Sequence, residues 1–126
     1  GHEFSLLGTV ITGNKIGRTI GFPTANLKID DQDKIIPANG VYAVLVRADN
    51  RWHKGMMNIG YRPTLNKKNQ EIIKEVHIFN FSSELYNKKL LVNFIDRIRE
   101  EKKFSDINQL KNQLHLDQKD ALQLLS

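Results

Sequence analysis

Residues 13–27, "GNKIGRTIGFPTANL", set three glycines and two cations ahead of a threonine and an asparagine one residue apart. Gly13, Gly17 and Gly21 let backbone amides approach phosphate oxygens, and Lys15 or Arg18 could neutralise them. If "PTANL" opens a strand, Ala25, Leu27 and Ile29 share one face and Thr24 and Asn26 the other. A hydroxyl and an amide carbonyl are hard, neutral ligands. They suit Mg²⁺, which keeps several waters and draws its charge balance from substrate phosphates. Pro23 fixes the angle at which the chain enters the strand. The same letters also fit a plain turn into a strand, with Thr24 and Asn26 solvated. Common phosphate signatures are missing: "GTVITGNK" has the spacing of a Walker A loop, but Asn14 stands where lysine is required, and there is no G-x-G-x-x-G.

A second candidate lies in "IIKEVHIFNF", residues 72–81. Strand alternation puts Ile73, Glu75, His77, Phe79 and Phe81 on one face, and Lys74, Val76, Ile78 and Asn80 on the other. Glu75 therefore sits on a largely apolar face, where a carboxylate is costly unless paired or used. It is a candidate general base. A cross-strand ion pair for Glu75 and an ordinary half-buried imidazole for His77 are the bland alternatives. His2, His53 and His115 are scattered and lack metal-ligand spacing. A third stretch, "DRIREEKKF" (96–104), is either a solvated charged turn or a pocket rim, with Phe104 as a wall and Arg99 as a polar contact.

Six β-type segments must position these groups: 4–12, 24–29, 40–48, 51–60, 71–81 and 89–98. The "DN" pair Asp49–Asn50 predicts a two-residue hairpin turn between the third and fourth. Asn87 is suited to a left-handed turn before the sixth. Short connections and no alternating helices point to a small antiparallel barrel or sandwich rather than a parallel α/β fold. After Phe104 the period becomes helical. Ser105 is read as the cap of a helix with Ile107, Leu110 and Leu114 on one face. Asp117 is read as the start of a second helix striped by Ala121, Leu122 and Leu125.

The 126 residues make one domain, 1–126, with the barrel over about 4–98 and the helical part over about 105–125. No cysteine is present, which excludes disulfides and thiolate metal sites and fits a reducing compartment. No apolar run is long enough to span a membrane as a helix, and no leader pattern is visible, so the expectation is a cytoplasmic protein without a membrane partner. The net charge of +5 and pI of about 9.5 favour anionic partners. A rival to a phosphate-handling enzyme is an OB-like nucleic-acid-binding barrel using Tyr42, Trp52 and Phe79. Against it, those aromatics do not interleave with basic residues on one strand.

Taken together, "GNKIGRTIGFPTANL", "GVYAVLV", "MNIGYRPTL", "KEVHIFNF" and "LYNKKLLVNFIDRIREEKKF" resemble riboflavin kinase over nearly the whole chain. They are similar to the C-terminal kinase domain of bacterial bifunctional riboflavin kinase/FAD synthetases. The resemblance implies a six-stranded Greek-key barrel with C-terminal helices. It implies transfer of the ATP γ-phosphoryl group to the ribityl hydroxyl of riboflavin with Mg²⁺ or another divalent ion. On the matching positions, Glu75 is the catalytic base, and Thr24 and Asn26 hold metal and phosphates. Gly13, Lys15, Arg18 and Gly21 belong to a flap over ATP, and His77 lies near the nucleotide. Arg99 and Phe104 border the flavin. The resemblance also implies an FAD synthetase (adenylyltransferase) domain preceding this one in a longer chain, and no nucleic-acid partner. Lys74, Asn80 and Asn87 depart from the pattern, and none of them removes a proposed catalytic group.

Overall fold

The computed structural model describes residues 4–13, 18–31, 35–63, 70–81 and 84–126. Six strands appear in chain order: β1 (Phe4–Gly13), β2 (Ala25–Ile29), β3 (Gly40–Ala48), β4 (Arg51–Pro63), β5 (Gln70–Ile78) and β6 (Lys89–Arg99). All pairings are antiparallel, and the sheet closes on itself in the order β1-β2-β5-β4-β3-β6. β3, β4 and β5 follow one another as neighbours, and β6 returns to lie beside β3. That is the Greek-key arrangement the family resemblance implied.

Alternation fills the barrel. Leu27 and Ile29 of β2, Val44 and Val46 of β3, Met57 and Ile59 of β4, and Val76 and Ile78 of β5 all belong to one buried cluster. Asp49 and Asn50 adopt φ of 52° and 63°, and Ala48 pairs with Arg51 across them. This is the two-residue turn whose twist matches the strands. Asn87 is left-handed as expected, with φ 66°.

The sequence "GVYAVLV" is apolar at nearly every position because β3 is covered on both sides. Val41 and Ala43 face outward, where they join Met56, Phe22, Phe79 and Ala121 in a second buried cluster. A single C-terminal helix, α1 (Ile107–Leu124), lies over that outer face.

Several expectations about this region need correction. Two helices are one, and its cap is Asp106, whose Oδ1 accepts from the Gln109 amide at 2.8 Å. Ser105 instead bonds the Gln109 side chain at 2.8 Å. Asp117 starts nothing: it is fully buried in mid-helix. The packed stripe runs through the half-buried Leu110, Leu114 and Leu125 and the buried Asp117 and Ala121, while Ile107 and Leu122 are exposed. β5 ends at Ile78 rather than at residue 81. Asn80 is left-handed, with φ 54°, and the chain crosses there. Phe79 stays in the outer cluster, while Phe81 packs against the barrel interior and His53.

Candidate active site

The FPTAN segment is pinned from behind. Phe22 is buried and meets His77 and His115 edge to face, with ring centroids 5.4 and 4.9 Å apart. His77 Nδ1 donates to the Pro23 carbonyl at 2.6 Å. Burial lowers the His77 pKa below its ordinary value, and the bond to the Pro23 carbonyl offsets part of that. The bond requires a proton on Nδ1, and burial favours the neutral imidazole that carries it there. These two contacts fix the turn that launches β2, and so fix Thr24.

Thr24 Oγ1 then donates to Glu75 Oε2 at 3.4 Å. Strand register carries the pattern sideways. Asn26 of β2 pairs with Glu75 of β5, and Glu75 pairs with Asn58 of β4. Directly paired residues project from the same sheet face, about 4.5–5.5 Å apart at Cβ. Asn26, Glu75 and Asn58 thus form a row of oxygen-bearing side chains on the outside of the barrel, with Thr24 at its edge.

The row borders a cavity of about 350 Å³, a size suited to a small ligand. Thr24, Asn58, Glu75 and His77 line one side, and Phe104, Leu110 and Leu114 close the other. The second wall comes from α1 and the segment that leads into it from β6, and several contacts hold this region together and against the barrel. Arg99 makes two bonds to the Asp117 carboxylate, Nε to Oδ1 and Nη2 to Oδ2, each 2.8 Å. Gln113 Nε2 adds a third bond to Asp117 at 2.9 Å. Arg97 Nη2 reaches the Asn39 carbonyl at 2.5 Å. Glu101 lies flat on Gly60: a Cβ there would sit 2.6 Å from Glu101 Oε1. Arg99 also stands 5.9 Å from the Phe104 ring centre, within cation–π range.

The cavity brings together Thr24, Glu75, His77, Arg99 and Phe104 among the residues singled out from sequence. Asn26 joins them through the strand register rather than as a wall residue. Arg18 and Gly21 are exposed and outside the cavity wall. Gly13 ends β1, paired with Ala25, and Lys15 and Gly17 lie outside the described residues. Asn58, Met56, Tyr61 and Asp117 were missed. Asn58 carried a usable signal: it is a polar residue between apolar neighbours in "MMNIG". Among the described residues, no group of three or more His, Cys, Asp or Glu side chains forms a metal cage. The donor set at Thr24 and Asn26 is neutral and oxygen-only, which fits an ion that is shared with phosphates.

The aromatics of the nucleic-acid alternative are badly placed for stacking. Phe79 is buried, and Tyr42 packs on Phe94 and bonds the Ala38 carbonyl at 2.6 Å. Of the three, Trp52 alone is exposed.

A family model described as "Flavokinase: Riboflavin kinase" matches residues 1–125. The chain belongs to the riboflavin kinase family. It is 39% identical over its full length to the bifunctional riboflavin kinase/FMN adenylyltransferase of Bacillus subtilis and covers 40% of that protein. A solved Streptococcus pneumoniae structure described as a macrolide-efflux protein shares 38% identity at a TM-score of 0.84, over 91% of this chain and 37% of that one. Riboflavin kinase from Trypanosoma brucei superposes at a TM-score of 0.69 over 99% of this chain and 81% of that one. At 19% identity that second structure supports the fold alone. This riboflavin kinase family member therefore spans about two fifths of the Bacillus protein. Family membership supports ATP-dependent phosphorylation of riboflavin to FMN and does not favour the non-catalytic nucleic-acid barrel. Among the described residues, no helix is long and apolar enough to cross a membrane.

Proposed function

We propose that this chain transfers the γ-phosphoryl group of ATP to the 5′-hydroxyl of riboflavin's ribityl chain, using Glu75 as the base. The observation that carries this reading is the Asn26–Glu75–Asn58 row beside an apolar-walled cavity. One end offers neutral oxygens suited to a metal–phosphate pair. The other end opens on Phe104, Leu110 and Leu114, a wall suited to an aromatic ring system. Glu75, between them, addresses the alcohol.

In this reaction a bond forms between the ribityl oxygen and the γ-phosphorus, and the bond from that phosphorus to the β,γ-bridging oxygen breaks. ADP leaves with that oxygen. The hydroxyl proton passes to the Glu75 carboxylate late in the transfer and then to solvent. Phosphoryl transfer needs positioning and charge stabilisation more than covalent help. Thr24 Oγ1 bonds Glu75 and aligns it. His77 holds the Pro23 carbonyl and keeps Thr24 in place. Mg²⁺, held by Thr24 and Asn26 together with the phosphates, would supply neutralisation of the triphosphate. Gly13, Lys15, Arg18 and Gly21 would form the phosphate-facing flap. Arg99 acts mainly through structure, because its guanidinium is occupied by Asp117 and the Glu100 carbonyl. Phe104 is the flavin wall. The natural context in this reading is cytoplasmic, joined to an FMN adenylyltransferase module as in the Bacillus relative.

ATP-dependent formation of FMN from riboflavin, followed by chromatography, tests the proposal. Turnover that needs both ATP and a divalent ion is the expected result. Steeply salt-dependent binding of single-stranded DNA with no flavin turnover would instead restore the nucleic-acid alternative.

A further inference from the structure

Asn58 has no assigned task, and its side-chain oxygen is in an unusual state. Among the described residues, two buried side-chain polar atoms lack a hydrogen-bond partner: His53 Nε2 and Asn58 Oδ1. His53 packs on Phe81, away from the cavity wall. Asn58 lines the cavity and stands opposite Glu75 in the β4–β5 register. A buried amide oxygen without a donor costs stability. Such groups are rare in native proteins and call for a water, an ion or a ligand to complete them.

The chemistry of the missing partner is constrained. An amide oxygen accepts and does not donate, so the partner must bring N–H, O–H or a cation. Glu75, the neighbour in register, acts as an acceptor when ionised and cannot serve. The order of the row narrows the choice further. Asn26 is one strand from Glu75 on the phosphate side, and Asn58 is one strand from it on the opposite side. One strand spacing, about 4.8 Å, is a distance that a polyol chain lying across the strands covers within a few carbons. A substrate alcohol held at Glu75, with the phosphoryl donor toward Asn26, would extend the rest of its polyol past Asn58 before the ring reaches Phe104.

We infer that Asn58 is a polyol-recognising residue: its Oδ1 accepts a hydrogen bond from a secondary hydroxyl of the substrate's side chain. This rests on the kinase reading above and adds to it a reason for preferring a hydroxylated chain over a plain hydroxyalkyl chain. Sites built to bond a substrate hydroxyl reject analogues lacking it far more strongly than apolar pockets distinguish methylenes.

The test compares two substrates across variants of the whole chain. One is riboflavin. The other is the flavin carrying a 5-hydroxypentyl group at N10, which keeps the reacting alcohol and lacks the secondary hydroxyls. Asn58→Leu replaces the amide with an apolar group of the same shape, and Asn58→Ala truncates it. The expected result is a fall of about 10–100-fold in kcat/KM for riboflavin, carried mainly by KM. For the hydroxypentyl flavin, kcat/KM should stay within about threefold of wild type, a smaller change than a lost hydrogen bond produces. The thermal midpoint of Asn58→Leu should equal or exceed that of wild type, because an unpaired polar atom has been removed.

Equal losses on both substrates would overturn the inference and make Asn58 a structural or metal-water residue. Undiminished discrimination in both variants would overturn it as well. Asn58→Ala decides the matter if Asn58→Leu fails to fold. A wild-type chain that phosphorylates neither flavin refutes the kinase reading itself, a different signature from any failure of Asn58 alone.

Discussion

The barrel of this protein has two apolar layers, and they are built to different standards. The interior is sealed: Leu6, Met57, Ile59, Leu90, Val44 and Val92 are essentially inaccessible and bring no polar group with them. The outer layer, between β3–β4–β5 and α1, is apolar at Phe22, Val41, Met56 and Ala121. It also contains a buried carboxylate, a neutral histidine and an unpartnered amide oxygen. Closed sheets have no edges, so their backbone hydrogen bonding does not depend on what covers the outside. That frees the outer layer to be incomplete. The gap it leaves is the cavity, and Asn58, Glu75 and His77 there are held by rigid strands rather than by loops. Precision at a site comes from such supports.

The comparison is broken most severely by changes that strike one layer and spare the other. Glu75→Gln keeps the row's shape and removes the proposed base. Turnover should fall by roughly 10²–10⁴, about 2.7–5.5 kcal/mol in barrier, with riboflavin binding and thermal midpoint nearly unchanged. A rate close to wild type at saturating substrates removes Glu75 from the base role. Asp117→Ala leaves Arg99 buried without its partner and should cost about 3–5 kcal/mol of stability, read by denaturant unfolding. Because α1 carries Leu110 and Leu114, affinity for flavin should weaken with it. Met57→Ala opens a void in the sealed layer and should cost about 2–5 kcal/mol. Flavin affinity at temperatures below the transition should stay nearly unaltered in that variant. If Met57→Ala harms binding as much as Asp117→Ala does, the two layers are not independent. Asn26→Ala is the gentler probe. It should weaken Mg·ATP binding, measured by titration calorimetry, well beyond any change in riboflavin binding.

Much of this division was readable in the letters, and most of the failures fall in the outer layer. Alternation in "TANLKI" and the Asp49–Asn50 turn identified the inward faces because one face of each strand is turned to a sealed core. The face shared by Glu75 and His77 was also legible. Asp117 misled because a charge on a helical stripe reads as a break. Its partner Arg99, 18 positions earlier, is invisible to local periodicity. Phe81 misled because the left-handed Asn80 reverses which side the next residue takes, while strand counting assumes none does. Asn58 was passed over as one polar residue in an apolar strand. Its meaning appears only when β5 sets Glu75 beside it. Local pattern reports which face is buried; it cannot report what covers that face.

The smallest effect tests how the outer layer supports the site. His77 is held neutral: burial lowers its pKa, against a smaller upward pull from the Pro23 carbonyl. In the unfolded chain an imidazole titrates near pH 6.5, so about 6.5 marks the upper edge of the window. Below that, the unfolded chain takes up a proton that the folded chain resists, and stability rises with pH wherever the unfolded state binds more protons. The His77 contribution is therefore fully present at pH 8 and is lost progressively as pH falls through 6.5 toward the lowered folded value. Phe22, Phe79 and the Pro23 carbonyl surround the ring. Glu75 lies two residues along the strand, and His115 sits across Phe22. His77→Gln retains an amide donor for the Pro23 carbonyl and cannot titrate. It should lower the thermal midpoint modestly at pH 8, and the gap to wild type should narrow as pH is taken to 5. If the two curves instead run parallel across that range, the imidazole is not paying a protonation penalty. Its grip on the FPTAN turn would then be separable from its burial, and the claim that burial of the outer layer tunes the residues beneath it would lose its clearest support.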